Sequence, residues 1–407
     1  MNKQKNIPGL RFPEFNEVWE VKKLGEIAEK RTQKNKDNSV KNVFSNSASQ
    51  GIVNQRDYFD KDIANQNNLL NYYVVDKNDF IYNPRISNYA PVGPISRNHI
   101  GLGIMSPLYS VFKFHKGYND FYEKYFSTYL WHEYMESIAN YGARADRMNI
   151  TTHDFYEMPL PYPSIPEQQK ISTFLSLVDN KLTQLKKKKT LIEQYKKGVM
   201  QKIFSQEIRF KDEKGKEFPK WEQKKLGEVS NNIMYGMNAS AIPYDGENKY
   251  LRITDIDENS RTYLPNPLCS PDGEIEEKYK LKSGDIVFTR TGASVGKTYL
   301  YDIKEGNLLF AGFLIKFSIT NANPYFIFLQ TLLSPYSKWV KVMSMRSGQP
   351  GINAEEYKTF TIHLPCLEEQ SKVVNFLSAI EEKINLVSEQ IEKTEIWKKG
   401  LLQKMFC

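Results

Sequence analysis

"IPEQQKISTFLSLVDNKL" occupies residues 165–182, and "LEEQSKVVNFLSAIEEKI" occupies residues 367–384. The second stretch repeats the first 202 positions later, keeping Glu167 as Glu369, Gln168 as Gln370, Lys170 as Lys372, Phe174 as Phe376 and Leu175 as Leu377. The same distance separates "YKKGVMQKIFS" from Tyr195 and "WKKGLLQKMFC" from Trp397, and also "WEVKKLGEIAE" from Trp19 and "WEQKKLGEVSN" from Trp221. One constant spacing across separate blocks means two copies of one unit, roughly 1–205 and 206–407.

Steps of four and three from Ile171 pass through Leu175, Val178, Leu182, Leu185, Lys189, Ile192, Lys196, Val199 and Ile203. In the second copy the steps pass through Val373, Leu377, Ile380, Ile384, Val387, Ile391, Thr394, Lys398, Leu401 and Met405. This is a heptad seam, interrupted in the first copy by two lysines, and it predicts two helices of about 35 residues, roughly 50 Å long. Each apolar stripe needs a partner, and the other helix supplies it. Antiparallel pairing would set two variable domains at opposite ends of one pseudo-two-fold chain. The run "KKKK" at 186–189 reads as a solvated helix face. Pro163 and Pro166 mark the helix entry.

Between the repeated blocks the copies diverge, and residues 30–141 and 232–343 show little common sequence apart from the following echo of Arg144 in Arg346 and Ile150 in Ile352. These centres read as mixed, mainly β structure. "YYVVDKNDFIYN" (72–83), "PLYSVFKF" (107–114), "KYLRITDI", "GDIVFTR" (284–290) and "NLLFAGFLIKFSIT" have strand character. The aromatic-rich stretches 119–142 and 324–343 each read as one helix. A shared frame around an unlike centre implies a common structural duty and two different ligands.

Composition narrows the class. The chain has 407 residues, net charge +8, 25 tyrosines and 23 phenylalanines, with a mean hydropathy of −0.57. The moderate basic excess favours an anionic partner. Cys269, Cys366 and Cys407 are far apart and lack the spacing of a zinc site or disulfide framework. Neither a signal core nor a membrane-length apolar run occurs, so a cytoplasmic protein without a membrane partner is expected.

Catalytic motifs fail on spacing. "TRTGASVGKTY" (289–299) looks like a nucleotide loop, but three residues separate Gly292 from Gly296 where a Walker loop has four. The following "TYLYDI" alternates like a strand, so a hairpin loop is expected. "YNPRIS" at 82–87 lacks the second proline of a methyltransferase N-P-P-Y loop, and "HIGLGIM" at 99–105 lacks the context of a dinucleotide loop. Pro271-Asp272 lies too close to Glu276-Glu277-Lys278 for a nuclease signature. His99, His115, His132, His153 and His363 form no metal-binding pair.

The repeated blocks together resemble the specificity subunit of type I restriction–modification enzymes over nearly the whole chain. "SGDIVFTRTGASVGK" is similar to a strand–loop element of that family's recognition domains. The resemblance implies an α+β chain: two mixed α/β target-recognition domains joined by two long antiparallel coiled-coil helices in a pseudo-two-fold internal repeat. The expected layout is an N-terminal segment and first recognition domain at 1–157, a spacer helix at 158–207, a second domain at 208–359 and a second spacer helix at 360–407. The resemblance implies no catalytic activity in the chain itself. Each domain would read half of a bipartite site in double-stranded DNA, and the helices would set the spacing and dock two methyltransferase (modification) subunits. Restriction/translocase subunits would join these. S-adenosylmethionine, ATP and Mg would belong to the partners, with no cofactor or metal in this chain. A recognition subunit of a type II system with a fused nuclease–methyltransferase, a P-loop NTPase and a coiled-coil scaffold are the competing readings.

Residue type and expected loop position nominate DNA contacts, with polar groups reading base edges and cations holding phosphates. In the first domain these are Ser45, Asn46, Ser49, Gln50, Asn83, Arg85, Asn88, Tyr89, Arg144 and Arg147. In the second they are Tyr235, Asn238, Arg252, Arg290, Thr291, Ser294, Lys297, Arg346 and Gln349. Arg144 and Arg346 stand out because they recur, although both could instead cap the following segment.

Overall fold

In a computed structural model, residues 6–58, 66–140, 146–346 and 348–407 are described. The chain forms two units: residues 1–187 with 388–407, and residues 188–387. The two long helices are continuous over Ile165–Phe204 and Leu367–Lys404, so each unit draws helix from both copies of the repeat. No helix among the described residues is long and apolar enough to cross a membrane.

In the first unit, Glu20–Lys23 pairs antiparallel with Pro159–Tyr162, Glu20 opposite Tyr162. This two-stranded clasp closes the variable segment at its root. Within it lies a four-stranded antiparallel sheet in the order Ala28–Lys30, Ser110–Phe114, Phe80–Tyr82, Ile95–Arg97. Successive strand residues face opposite sides, and both sides are apolar. Phe80, Tyr82, Phe112 and Phe114 join a core that includes Phe121, Tyr122 and Phe126 of the helix Asn119–Phe126 and Phe155 of the short helix Thr152–Tyr156. Ile81 and Val111 instead pack with Phe44, Val75 and Met105 on the reverse face.

The second unit repeats this design. Glu222–Lys225 pairs with Thr361–Leu364, Glu222 opposite Leu364. The sheet order is Ser230–Tyr235, Leu314–Ile319, Asp285–Thr289, Thr298–Leu300. Ile286, Phe288, Ile315 and Phe317 meet the helices, while Val287 and Leu314 meet Leu308 and Phe310. The stretch 289–299 is therefore a hairpin, as its alternation suggests: Phe288 pairs with Thr298 across two antiparallel strands.

The repeated residues explain themselves through buried polar bonds. Gln168 accepts the Tyr118 N–H at 2.8 Å and donates to the Pro163 carbonyl at 2.8 Å. Gln370 does the same with the Asn323 N–H and the Pro365 carbonyl, both at 2.8 Å. Each glutamine ties the start of a long helix to the start of a domain helix. Glu167 accepts two hydrogen bonds from Arg11 at 2.7 and 2.8 Å. Glu369 accepts two from Arg209 at 3.1 and 2.7 Å, plus one from the Trp221 indole at 3.1 Å.

Most of the heptad seam is buried, Leu185, Lys189, Ile192, Lys196, Val199, Ile391 and Lys398 being half-buried, and within each unit the two helices run antiparallel. In the first unit Lys398 pairs with Asp179 and Lys186 with Glu395, both at 2.6 Å. In the second, Lys196 pairs with Glu381. A seam lysine thus meets a carboxylate from the facing helix.

Three expectations need correction. The stretch 119–142 is broken: Asn119–Phe126 ends and His132–Ile138 begins after Thr128 turns its hydroxyl onto the Tyr125 carbonyl at 2.7 Å and Trp131 bonds the Phe126 and Thr128 carbonyls. Pro324–Gln330 and Ser334–Met343 are likewise separate, because Thr331 bonds the Phe328 carbonyl at 2.7 Å and a proline starts the second helix. Finally, "NLLFAGFLIKFSIT" makes two strands, Leu308–Phe310 and Leu314–Ile319, around a turn closed by Leu314 N–H to the Ala311 carbonyl at 2.8 Å.

Candidate nucleic-acid interface

In the second domain three strand ends converge. Tyr235 ends its strand opposite Ile315, and Thr289 ends its strand opposite Leu314. One residue further, the Arg290 N–H donates to the Phe313 carbonyl at 3.0 Å, extending the ladder. The half-buried Arg290 guanidinium lies 5.0 Å from the centre of the Tyr235 ring, a cation–π contact that leaves its N–H groups available for hydrogen bonds. Among the described residues no carboxylate lies within ion-pair distance of it.

A returning segment walls this group in. Ile352 N–H donates to the Arg290 carbonyl at 2.8 Å and Gly292 N–H to the Pro350 carbonyl at 3.0 Å. Ala354 N–H donates to the Tyr235 hydroxyl at 3.2 Å. Exposed Gln349 is carried alongside: a methyl group at Gly292, whose φ is +75°, would lie 3.1 Å from its amide nitrogen. Thr291 forms a backbone bridge with Gly351. Asn238 is exposed on the segment that follows Met237, which is tied by its N–H to the Phe310 carbonyl at 2.8 Å. The structure therefore gathers Tyr235, Asn238, Arg290, Thr291 and Gln349 at one edge of the sheet.

Four other nominated residues of this domain are engaged elsewhere. Lys297 is only 7% exposed, against the expectation of a presented loop cation. Its ammonium donates to the Ile256 carbonyl at 3.1 Å and pairs with Glu258 at 2.7 Å, because the hairpin turns this side chain into the domain. Arg252 clamps buried Asp255 at 2.9 and 2.7 Å, and that hydrogen bonding raises the guanidinium pKa above its ordinary value. Ser294 is half-buried, and its carbonyl accepts the Thr289 hydroxyl and the Lys297 N–H. Arg346 stays exposed, yet it donates to the Met343 and Met345 carbonyls at 3.1 and 3.2 Å and pairs with Glu356. It caps the end of the preceding helix Ser334–Met343, where a cap on the following segment was the alternative, and reaches that segment through Glu356. Its counterpart Arg144 lies outside the described residues.

The first domain places its candidates at the equivalent edge. Met148 N–H donates to the Pro84 carbonyl at 2.9 Å and Ile86 N–H to the Asp146 carbonyl at 3.1 Å, bringing Arg85 and half-buried Arg147 together. A tight turn, Ser87 and Ala90 exchanging bonds at 3.0 Å, lifts Asn88 and Tyr89 outward. Tyr89 is 83% exposed. Ser49 and Gln50 are exposed on the turn joining Phe44–Ser47 to Gly51–Asn54, and Ser45 accepts a 3.4 Å bond from Gln55. Asn46 and Asn83 are corrected to internal supports. Asn46, 3% exposed, donates to the Ile81 and Pro94 carbonyls at 2.8 and 3.1 Å. Asn83 donates to the Asn46 carbonyl at 2.9 Å and accepts the Arg85 N–H at 3.0 Å.

Phe313 was not nominated from the sequence, although it is 61% exposed beside Arg290. It sits in an apolar run that reads as core, and Gly312 just before it is the only local sign of a turn.

A family profile described as "Type I restriction modification DNA specificity domain" matches residues 16–194 and again 219–395. The chain is 26% identical over 265 residues to the type I restriction enzyme MjaVIII specificity subunit of Methanocaldococcus jannaschii, covering 61% of each chain. It is 25% identical over 283 residues to the type I restriction enzyme EcoKI specificity subunit of Escherichia coli, covering 62% of this chain and 58% of that one. The matches thus span about six-tenths of these curated relatives. Among solved structures, the type I restriction–modification S subunit from M. genitalium superposes with a TM-score of 0.55 at 14% identity, covering 98% of this chain and 99% of the other. A chain from a type I R-M system assembly gives 0.56 at 16% identity, covering 97% and 98%. At these identities the likeness is one of fold.

Proposed function

The chain belongs to the type I restriction modification DNA specificity family, and from that premise we propose that it selects the DNA sequence on which partner subunits act. One observation carries this reading: the same sheet order and root clasp occur twice, with unlike side chains at the same edge. The first edge presents Arg85, Asn88 and Tyr89, and the second presents Tyr235, Arg290 and Gln349. Two unlike readers on one chain sample two unlike half-sites. Arginine forks and amide groups supply base-edge contacts, while surrounding lysines supply phosphate contacts.

The chain performs no chemistry in this proposal. Its long helices set the half-site separation and dock two methyltransferase subunits, which restriction/translocase subunits then join. S-adenosylmethionine, ATP and Mg are used by those partners. The working compartment is the cytoplasm, where double-stranded DNA is available.

The experiment is a genome-wide map of adenine methylation in cells expressing this chain with a matching methyltransferase subunit, against the subunit alone. A bipartite motif that needs this chain is the expected result. Co-purification of the two proteins with no new motif would overturn the reading.

A further inference from the structure

Phe313 is held in an exposed position by a turn that cannot swing away. Met237 N–H bonds the Phe310 carbonyl, Gly312 N–H bonds the Met237 carbonyl and Leu314 N–H bonds the Ala311 carbonyl, each at 2.8 Å. The Phe313 carbonyl itself accepts the Arg290 N–H at 3.0 Å. The strands on either side, Leu308–Phe310 and Leu314–Ile319, are otherwise almost wholly buried.

The register fixes which face the neighbouring arginine and tyrosine share. Phe288 lies opposite Ile315, and Tyr235 lies opposite Ile315 from the other side. Alternate residues of a strand share a face, and so do residues directly opposite one another. Arg290 and Tyr235 therefore share the face that Phe288 and Ile315 present to the helices, and exposed Phe313 stands opposite Arg290 in the turn that leads into the next strand. The result is a short row: a tyrosine with a guanidinium stacked on it, and a bare phenyl ring opposite that arginine across the ladder.

Opposed residues have Cβ atoms about 5 Å apart, a spacing suited to neighbouring base pairs of a duplex. In the major groove the only apolar group on a base edge is the 5-methyl of thymine, and the preferred target of an arginine fork is guanine O6 and N7. We infer that Phe313 reads a thymine methyl in the second half-site while Arg290 reads a guanine in the adjoining base pair. This rests on the DNA-reading function proposed above and adds the chemistry of one step within the site. A ring acting as a wedge between bases would instead tolerate many sequences.

The test uses the full chain with its methyltransferase subunit, after the wild-type motif has been mapped. Duplexes carrying deoxyuridine in place of each thymine of the second half-site remove one methyl at a time. At one position, next to a guanine·cytosine pair, wild-type affinity should fall about five-fold. Phe313→Ala should lose a similar factor on the thymine duplex and become indifferent to deoxyuridine there. Its thermal midpoint should stay at the wild-type value, because the ring is exposed. Methylation mapping should show Phe313→Ala relaxing that thymine alone and Arg290→Ala relaxing the adjoining guanine. Uniform weakening on every sequence, unchanged affinity, or a second half-site without a thymine beside a guanine would each overturn the inference. Failure of the underlying function looks different: the wild-type pair would then yield no motif at all, and this inference would fall with it.

Discussion

Lys398 and Asp179 form an ion pair at 2.6 Å, and Lys196 and Glu381, each displaced by 202 positions from one of those residues, form the same pair in the other unit. A polar position in an apolar seam costs stability unless its charge is matched. The duplication matches both with one design. Asp179 also accepts from Lys124 at 2.5 Å, so one carboxylate joins a domain helix to both long helices in its unit. Burial tends to raise its pKa, but the hydrogen bonds from Lys124 and Lys398 outweigh this and hold the carboxyl below its ordinary value.

Asp179→Asn should therefore cost about 2 kcal/mol at neutral pH, since two ammonium donors lose their anionic acceptor and one of them faces an amide NH2 instead. The sign of the pH dependence follows from the depressed pKa. The carboxylate's contribution is fully present above the unfolded value of about 3.9 and is lost as pH falls through the lower folded value. Urea unfolding of both proteins should show a gap that is constant above about pH 5 and closes in acid. A gap that stays open in acid would mean that the charge is not what matters.

The buried carboxylates at the helix starts should differ between copies. Glu369→Ala strands the Trp221 indole but leaves Arg209 on the Phe218 and Pro219 carbonyls at 3.2 and 2.8 Å, whereas Glu167→Ala strands Arg11 and leaves the already unpaired Trp19 indole as it was. Losing one partner of a buried pair costs about 3–5 kcal/mol, and the stranded indole should make Glu369→Ala cost about 1 kcal/mol more in the wild-type background than in a Trp221→Phe background. Denaturant titration of Glu369→Ala in the two backgrounds compares them directly. Equal losses would refute the indole's contribution.

The frame was legible in the sequence because its residues are bound by exact internal geometry. Gln168 and Gln370 each bridge one helix start to another, so neither tolerates drift in type or spacing. The domain sheets were not legible as a repeat, although the two four-stranded sheets share one strand order. Asp79 and Asp285 are both buried and accept an N–H three residues back at 2.8 Å, from Asp76 and Lys282, after a positive-φ residue, Asn78 or Gly284. Those turns are 206 positions apart rather than 202, because unlike loops intervene, so a fixed spacing misses them. The candidate binding residues were legible only by type. Nothing local distinguishes buried Asn46 from exposed Asn88, or Lys297 turned inward from Arg290 stacked on Tyr235, since strand parity and distant carbonyls decide the direction.

That contrast within one hairpin is testable. Lys297→Met keeps the aliphatic stem but deletes the ammonium that serves the Ile256 carbonyl and Glu258. It should lower stability by about 1–2 kcal/mol and leave the methylated motif intact wherever the protein is folded. Thermal melts and methylation mapping read the two effects separately. A changed motif at full stability would return Lys297 to the DNA contacts.

Gly236 holds the second edge together by having no side chain. A Cβ there would lie 2.3 Å from the carbonyl oxygens of both Phe310 and Ala311, backbone atoms with no freedom to retreat. Gly312, on the facing turn, would place its Cβ 3.4 Å from the Met237 carbonyl, close to an ordinary contact. Gly236→Ala must therefore push the Ala311–Phe313 turn away from Tyr235, at a cost of about 3 kcal/mol or somewhat less, while Gly312→Ala should cost under about 1 kcal/mol. The displaced turn carries the Arg290 and Phe313 ladder with it. In the assembled complex Gly236→Ala should abolish selection at the second half-site and leave the first half-site readable in a methylation map. Loss of both half-sites together, in a protein that still melts cooperatively, would show that the two domains do not read independently.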